Sequence, residues 1–320
     1  MQIETPTSHL IERLQDDGFV PGASPAVNAL NAMVEQLART SIPVLLVGES
    51  GTGKEVYARM IHCFSGGEAR GLKKIACATV EPVRLSHALR ELREGSGREK
   101  VQTLFLDEIE ELPQECQKLL LTFVPNGEFQ SSEGTARARV ISATTHDMDN
   151  EVAKGRFRRE LYFRLNGACL RLPPLRDRTE DIPALTEHLL RRHAEELKKS
   201  SPVLNQETLE LLTSYPWPGN IRELENVARK MVALGDTGLA VSDLRMARMV
   251  PAAGIRAGRV SSLKVAAKAA SRETERELIL QALQRTKWNR KRAARELQIS
   301  YKSLLYKLKQ IETVGINKEK

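Results

Sequence analysis

The chain has 320 residues, 41% hydrophobic and 4% aromatic, enough for two or three domains and more in keeping with a helix-rich protein than a β-sandwich. No long apolar run occurs, so no membrane span is expected, and the polar, acidic start MQIETPTSHLIERLQ is unlike a signal peptide; the expected compartment is the cytoplasm. The net charge of +8 is uneven: residues 251–320 carry 17 Lys/Arg against 6 Asp/Glu, while the rest carries 32 against 35. Such a basic tail fits a nucleic-acid module or a solvated basic surface.

Cys63, Cys77, Cys116 and Cys169 form no CxxC pair and no zinc spacing, so buried free thiols are expected. Residues 1–20 read as a short leader. From Ser24 to Arg39 the apolar positions Val27, Leu30, Met33, Val34 and Leu37 recur at helical spacing. The segment 42–47 is a short apolar run closed by glycine, hence a buried strand, and a helix is expected from Lys54 to Phe64. Segments 74–78, 103–106 and 138–143 read as further buried strands with helices between them. That alternation implies an α/β fold with a parallel sheet covered on both faces. Beyond Arg178 the pattern turns helical: 182–199, 206–214 and 220–234. A glycine- and proline-bearing linker follows over 235–270. The segments 272–285, 290–297 and 301–311 form a last three-helix unit.

The stretch GESGTGK at 48–54 fits G-x-x-x-x-G-K between a strand and a helix. Glycines at this spacing let backbone N–H groups curl around phosphate oxygens at a helix N-terminus, and Lys54 reaches the outer phosphates. Glu55 stands where Ser or Thr usually helps to hold Mg²⁺. The strand TLFLDE at 103–108 ends in Asp107 and Glu108. Such a pair can hold Mg²⁺ and orient an attacking water. The segment GRFRRELYFRL at 155–165 is rich in arginine. Its spacing alone favours a salt-bridged helix surface, with Arg158 and Arg164 as arginine fingers for a neighbouring subunit the alternative. In WPGNIREL at 217–224, Asn220 is expected to cap a helix. Arg222 then lies in the first turn, where the helix dipole disfavours a cation, a placement that hints at an anionic partner.

Together these blocks resemble the bacterial enhancer-binding proteins. That family joins a AAA+ domain of sigma-54-dependent activators to a Fis-type helix-turn-helix. GESGTGKE, TLFLDEIEELP, GRFRRELYFRLN, LRLPPLRDRTEDIP and YPWPGNIRELEN carry the likeness, which covers residues 21–312. It implies a AAA+ P-loop ATPase subdomain over 21–178, a helical lid over 179–237, a linker over 238–270, a Fis-type DNA-binding domain over 271–313 and a tail over 314–320. It further implies that Gly48, Glu49, Ser50, Gly51, Thr52, Gly53, Lys54 and Glu55 bind ATP. Asp107 and Glu108 organise Mg²⁺ and water, Arg158 and Arg164 act in trans, and Arg222 is the lid's sensor arginine. Fingers acting in trans imply a homo-oligomer, usually a hexameric ring.

Three departures from the family pattern stand in the sequence. The interval between the second strand and Asp107 contains no GAFTGA, the family's sigma-54-contacting loop. Ala76 replaces the asparagine that restrains the catalytic glutamate, and an alanine cannot hydrogen-bond Glu108. Thr145 replaces the sensor asparagine. The expectation is an ATP-binding, DNA-binding regulator, with ATPase activity, that has lost its sigma-54 lever. A substitute loop that still engages sigma-54 or RNA polymerase, and an inactive subunit in mixed rings, are the alternatives. The short leader is too small for a receiver domain, so control is expected from a partner, nucleotide level or expression.

In the C-terminal unit, Leu278, Ile279, Ala282 and Leu283 make the apolar face of a first helix. Ala293, Ala294 and Leu297 line a second, and Ser300 caps a third. By the resemblance this third helix enters the major groove of double-stranded DNA. Tyr301, Lys302, Ser303, Tyr306 and Lys307 then meet bases, and Leu304, Leu305 and Leu308 face inward. Arg290, Lys291, Arg292 and Arg295 are placed for phosphates, which position rather than specify. Such modules dimerise on two-fold sites.

Overall fold

The structure, a computed structural model, describes residues 19–68, 71–94, 101–123 and 137–249, together with Thr286, Arg292 and Leu304. The chain divides into two compact units, 1–251 and 252–320.

In the first unit a five-stranded sheet runs in the order β2-β3-β4-β1-β5 with every pair parallel. The strands are β1 (Val44–Val47), β2 (Leu72–Ala76), β3 (Val101–Asp107), β4 (Arg137–Thr144) and β5 (Ala168–Arg171). Parallel strands need crossovers, and helices supply them: α1 (Pro25–Ala38) precedes β1, α2 (Lys54–Phe64) follows it, and α3 (Pro82–Glu94), α4 (Gln114–Phe123), α5 (Met148–Ala153) and α6 (Arg159–Leu165) connect the rest. Side chains alternate across each strand. Val44, Leu46, Phe105 and Ile141 therefore pack with α1 and α2, while Leu45, Leu104, Leu106 and Val140 pack with α3, α4 and α6. Full burial of each such side chain contributes about 1.5–3 kcal/mol. Both faces of the central strand β1 are covered, which is why Val44–Val47 reads as an unbroken apolar run.

The helix α1 begins at Ser24, whose side chain accepts from Val27 N, with Pro25 in the first turn. Its lead-in is tied to a distant carboxylate: Asp181 Oδ1 accepts from Ala23 N at 2.6 Å and Ser24 N at 2.8 Å.

The lid comprises α7 (Ile182–Leu197), α8 (Gln206–Ser214), α9 (Asn220–Leu234), α10 (Thr237–Ala240) and α11 (Ser242–Met249). Its core surrounds Trp217, which is fully buried, donates from Nε1 to Leu212 O at 2.7 Å and meets Tyr215 edge-on.

Several sequence expectations are corrected here. The strand placed at 74–78 ends at Ala76, because Cys77–Thr79 turns into a 3-10 helix. The strand β5, in which Leu170 alone is buried, escaped notice. The lid does not stop at 237: Ala240, Val241 and Leu244 fill its core, so the expected linker is helical through Met249. Cys77 and Cys116 are buried free thiols, but Cys169 is exposed.

In the second unit, Arg292 is helical and exposed, and Leu304 is helical and buried, as expected for a core position. The remaining expected DNA contacts, Arg290, Lys291, Arg295, Tyr301, Lys302, Ser303, Tyr306 and Lys307, lie outside the described residues.

Candidate nucleotide site

A cavity of about 330 Å³ opens beyond the carboxyl ends of β1, β3 and β4, where ligands bind in open parallel sheets. The loop after β1 supplies Ser50–Glu55, the end of β3 supplies Asp107 and Glu108, the end of β4 supplies Thr144 and Thr145, and the lid supplies His188, Ile221 and Arg222. Phe19, Val20, Val27, Leu185 and Leu189 make an apolar wall. Of the candidates read from the sequence for a nucleotide site, this cavity gathers Ser50, Gly51, Thr52, Gly53, Lys54, Glu55, Asp107, Glu108 and Arg222.

The loop has the backbone form of a phosphate cradle. Gly51 and Gly53 have φ of 79° and 100°, in the left-handed region that favours glycine. A Cβ on Gly51 would lie 2.3 Å from Gly219 O. Thus Gly51 is required by its dihedral and by the approach of the lid. Lys54, 9% exposed, donates to Gly48 O at 2.7 Å and Glu49 O at 3.0 Å. Burial holds its pKa below the ordinary lysine range, with Asp107 and Glu110 opposing the shift.

The lid grips the outside of this loop. Ile221 N donates to Gly51 O at 2.9 Å, Arg178 Nη2 to Thr52 O at 2.8 Å and Arg222 Nη1 to Ser50 Oγ at 3.1 Å. Asn220 is not the expected cap. It sits inside α9 with φ of 53°, and Gly219 precedes the helix. Its side chain instead bridges subdomains, accepting from Leu175 N at 2.8 Å and donating to Ser50 O at 3.0 Å. Glu49 accepts from Arg176 and Asn220. The Arg176 hydrogen bond, against the opposing effect of burial, lowers its pKa to about 2.

Glu108 follows Asp107 with φ of 56°, a strained conformation for a non-glycine residue. Thr145 donates from Oγ1 to Glu110 Oε1 at 2.9 Å, and its N–H reaches the same oxygen at 3.0 Å. The single hydrogen of this hydroxyl, which stands where the family has the sensor asparagine, is thus committed to Glu110. The second oxygen of Glu110 is buried with no hydrogen-bond partner.

Glu55 Oε1 accepts from Arg59 at 2.9 Å and Oε2 from Lys74 at 2.6 Å, while Lys74 also lies 3.1 Å from Asp107 Oδ2. Burial lowers the Lys74 pKa, but Glu55 and Asp107 together leave it raised. Magnesium prefers hard oxygen ligands, and nucleotide sites hold it with one or two carboxylates plus the substrate's phosphates. Asp107 beside the cradle fits that demand. Among the described residues no cluster of three metal-ligating side chains would hold a cation unaided.

Neither Arg158 nor Arg164 lines this cavity. Arg158 precedes α6, its N–H bonded to Gln117 Oε1 at 2.9 Å. Arg164 donates to Leu121 O at 2.8 Å and Glu160 Oε1 at 2.6 Å, the surface ion pairing that spacing alone suggested. Sequence reasoning did not single out Lys74, Glu110, Arg176, Arg178 or His188. Arg176 and Arg178 lay inside the LRLPPLRDRTEDIP block, whose charge pattern beside two prolines was the available signal. Lys74 had none, being a lysine in an otherwise ordinary strand.

The sheet, cradle and lid define a AAA+ P-loop ATPase domain. Residues 20–171 match the Sigma-54 interaction domain, 176–249 the AAA+ ATPase lid domain and 271–310 the Fis family of bacterial regulatory proteins. The response regulator protein PilR of Pseudomonas aeruginosa is 35% identical, over 92% of this chain and 70% of that protein. The transcriptional regulatory protein ZraR of Salmonella typhimurium is 37% identical, over 90% and 67%. NtrX from Brucella abortus, solved in complex with ATP, superposes with a TM-score of 0.65 at 27% identity, over 95% of this chain and 72% of that one. The chain belongs to the sigma-54-dependent transcriptional regulators, combining their ATPase domain with a Fis-type DNA-binding helix-turn-helix. Among the described residues no helix is long and apolar enough to cross a membrane.

Proposed function

We propose that the protein is a DNA-bound regulator whose self-assembly is set by ATP and Mg²⁺ in the cavity between sheet and lid. One observation carries the reading: the cradle, the acids and Arg222 converge on one cavity, whereas Arg158 and Arg164 do not line it. Backbone N–H groups of residues 50–54 and the Lys54 ammonium bind the phosphates, and Arg222 draws the lid onto them. Magnesium, when bound, neutralises charge on the outer phosphates. Asp107 holds it, and Glu108 orients the water that attacks the γ-phosphate. Arg158 and Arg164 serve the site of a neighbouring copy, so occupied sites favour a ring. A ring gathers several Fis-type units and raises their effective concentration on DNA.

The sequence between β2 and β3 has no GAFTGA, which supports a regulator that acts without the family's usual sigma-54 contact. Sedimentation of the parent and Lys54→Ala with and without ATP tests the assembly step. The variant is expected to lose nucleotide-dependent association and keep dimer-level DNA binding; assembly equal to the parent's would refute the reading. Mixing the protein with sigma-54, ATP and a trapped hydrolysis mimic tests the missing contact. No complex is expected, and a nucleotide-dependent complex would establish a substitute loop.

A further inference from the structure

We propose that Lys74 is a built-in counter-cation of the nucleotide site, which lets its acidic wall accept phosphates before a divalent cation is present. The inference rests on the nucleotide-binding reading given above.

Five carboxylates line the cavity, and Glu55, Asp107 and Glu108 are those contributed by the cradle's helix and the end of β3, with Asp181 and Glu225 on the lid side. Glu110 adds a further negative charge close enough to act on Lys54. A nucleotide triphosphate carries several negative charges into this neighbourhood, and like charges at such range repel. The cradle lysine feels these acids, but its ammonium donates to the carbonyls of Gly48 and Glu49. Lys74 is in direct contact with two of them, Glu55 and Asp107, whereas Arg59 pairs with Glu55. Strand pairing sets Lys74 opposite Phe105 and Ala76 opposite Asp107. The lysine therefore starts two residues short of the strand end, reaches along the sheet with its ammonium 5.8 Å from the centre of the Phe105 ring, and ends between Glu55 and Asp107.

The two anchors belong to different elements, Glu55 to α2 and Asp107 to β3. One can release while the other holds. The longer contact, 3.1 Å, is the one to Asp107. The side chains of Lys74 and Asp107 are 40% and 29% exposed, so water and ions reach the pair without any opening of the fold. Asp107 would then be free to hold a divalent cation, while Glu55 keeps the ammonium beside the site.

The test compares binding of a fluorescent ATP analogue in excess EDTA and in excess Mg²⁺. Lys74→Met should weaken metal-free binding by about tenfold, while Mg²⁺-supported binding changes by less than about threefold, because the cation then supplies the missing charge. Lys74→Arg should keep the parent's ratio of the two affinities. An unchanged ratio in Lys74→Met, or an equal loss in both conditions, would overturn the proposal. A parent that binds the analogue in neither condition would instead sink the nucleotide-binding reading itself.

Discussion

Glu49 and Arg176, 127 residues apart, are joined by two hydrogen bonds of 2.6 and 2.8 Å that pin the cradle's outer edge to the start of the lid. The carboxylate has a folded-state pKa of about 2 against an ordinary value of 4.5. A depressed acid contributes stability that is complete above its unfolded pKa and lost as pH falls through the folded one. The parent should therefore exceed Glu49→Gln in stability at pH 7, with the difference fading between about pH 4.5 and pH 2. Denaturant melts across that range would show it; a gap that stays constant down to pH 2 would contradict the assigned pairing.

Gly51 and Gly66 both have positive φ, 79° and 82°, but only Gly51 faces an obstacle. Gly66→Ala should cost about 1 kcal/mol, the strain of a left-handed alanine. Gly51→Ala adds a clash with Gly219 O and should also weaken nucleotide binding by at least about tenfold, or about 1.4 kcal/mol. Titration calorimetry of both variants separates the two effects, and equal affinities would show that the lid yields freely.

Thr145 and Glu110 should behave as a unit. If Glu110 positions the threonine hydroxyl, Thr145→Ala, Glu110→Ala and the double variant should have similar ATP turnover rates, with a coupling of about 0.5–3 kcal/mol. A double-mutant cycle on hydrolysis rates measures this directly. Strict additivity would leave the contact without a role in turnover.

Trp217 is fully buried and supplies the hydrogen of a 2.7 Å bond to Leu212 O. Trp217→Ala should destabilise the protein by about 3–5 kcal/mol through lost burial and a cavity. The lid helix α9 carries Asn220 and Arg222, so this variant should also bind nucleotide less tightly. Unfolding and binding curves on the same sample check both effects. Full affinity in a destabilised variant would mean that the lid core and the cradle are uncoupled.

The sheet was legible because strands buried on both faces leave apolar runs such as Val44–Val47. The strand β5 was not, since only Leu170 in it is buried and its other residues are partly or fully exposed. The cradle was legible because its glycine spacing is a local requirement. The contacts that close the cavity are different in kind. Arg178 with Thr52 and Asn220 with Ser50 join residues more than a hundred positions apart, so no local pattern announces them. Asn220 shows the limit most clearly. Its type suits a helix cap, yet its amide is used across the subdomain boundary while glycine takes the cap position. The residues of the Fis-type helices read as a basic, periodic unit, and Leu304 lies inward as that period requires.

The anchoring of Ala23 and Ser24 by Asp181 has a mechanical meaning. The segment just ahead of it, Phe19–Val20, is a wall of the nucleotide cavity, while Asp181 opens the lid's first helix. The entry segment and the start of the lid's first helix are thus held by one carboxylate. A displacement of residues 19–24 and a displacement of the lid's first helix are therefore linked through Asp181 at the wall of the pocket.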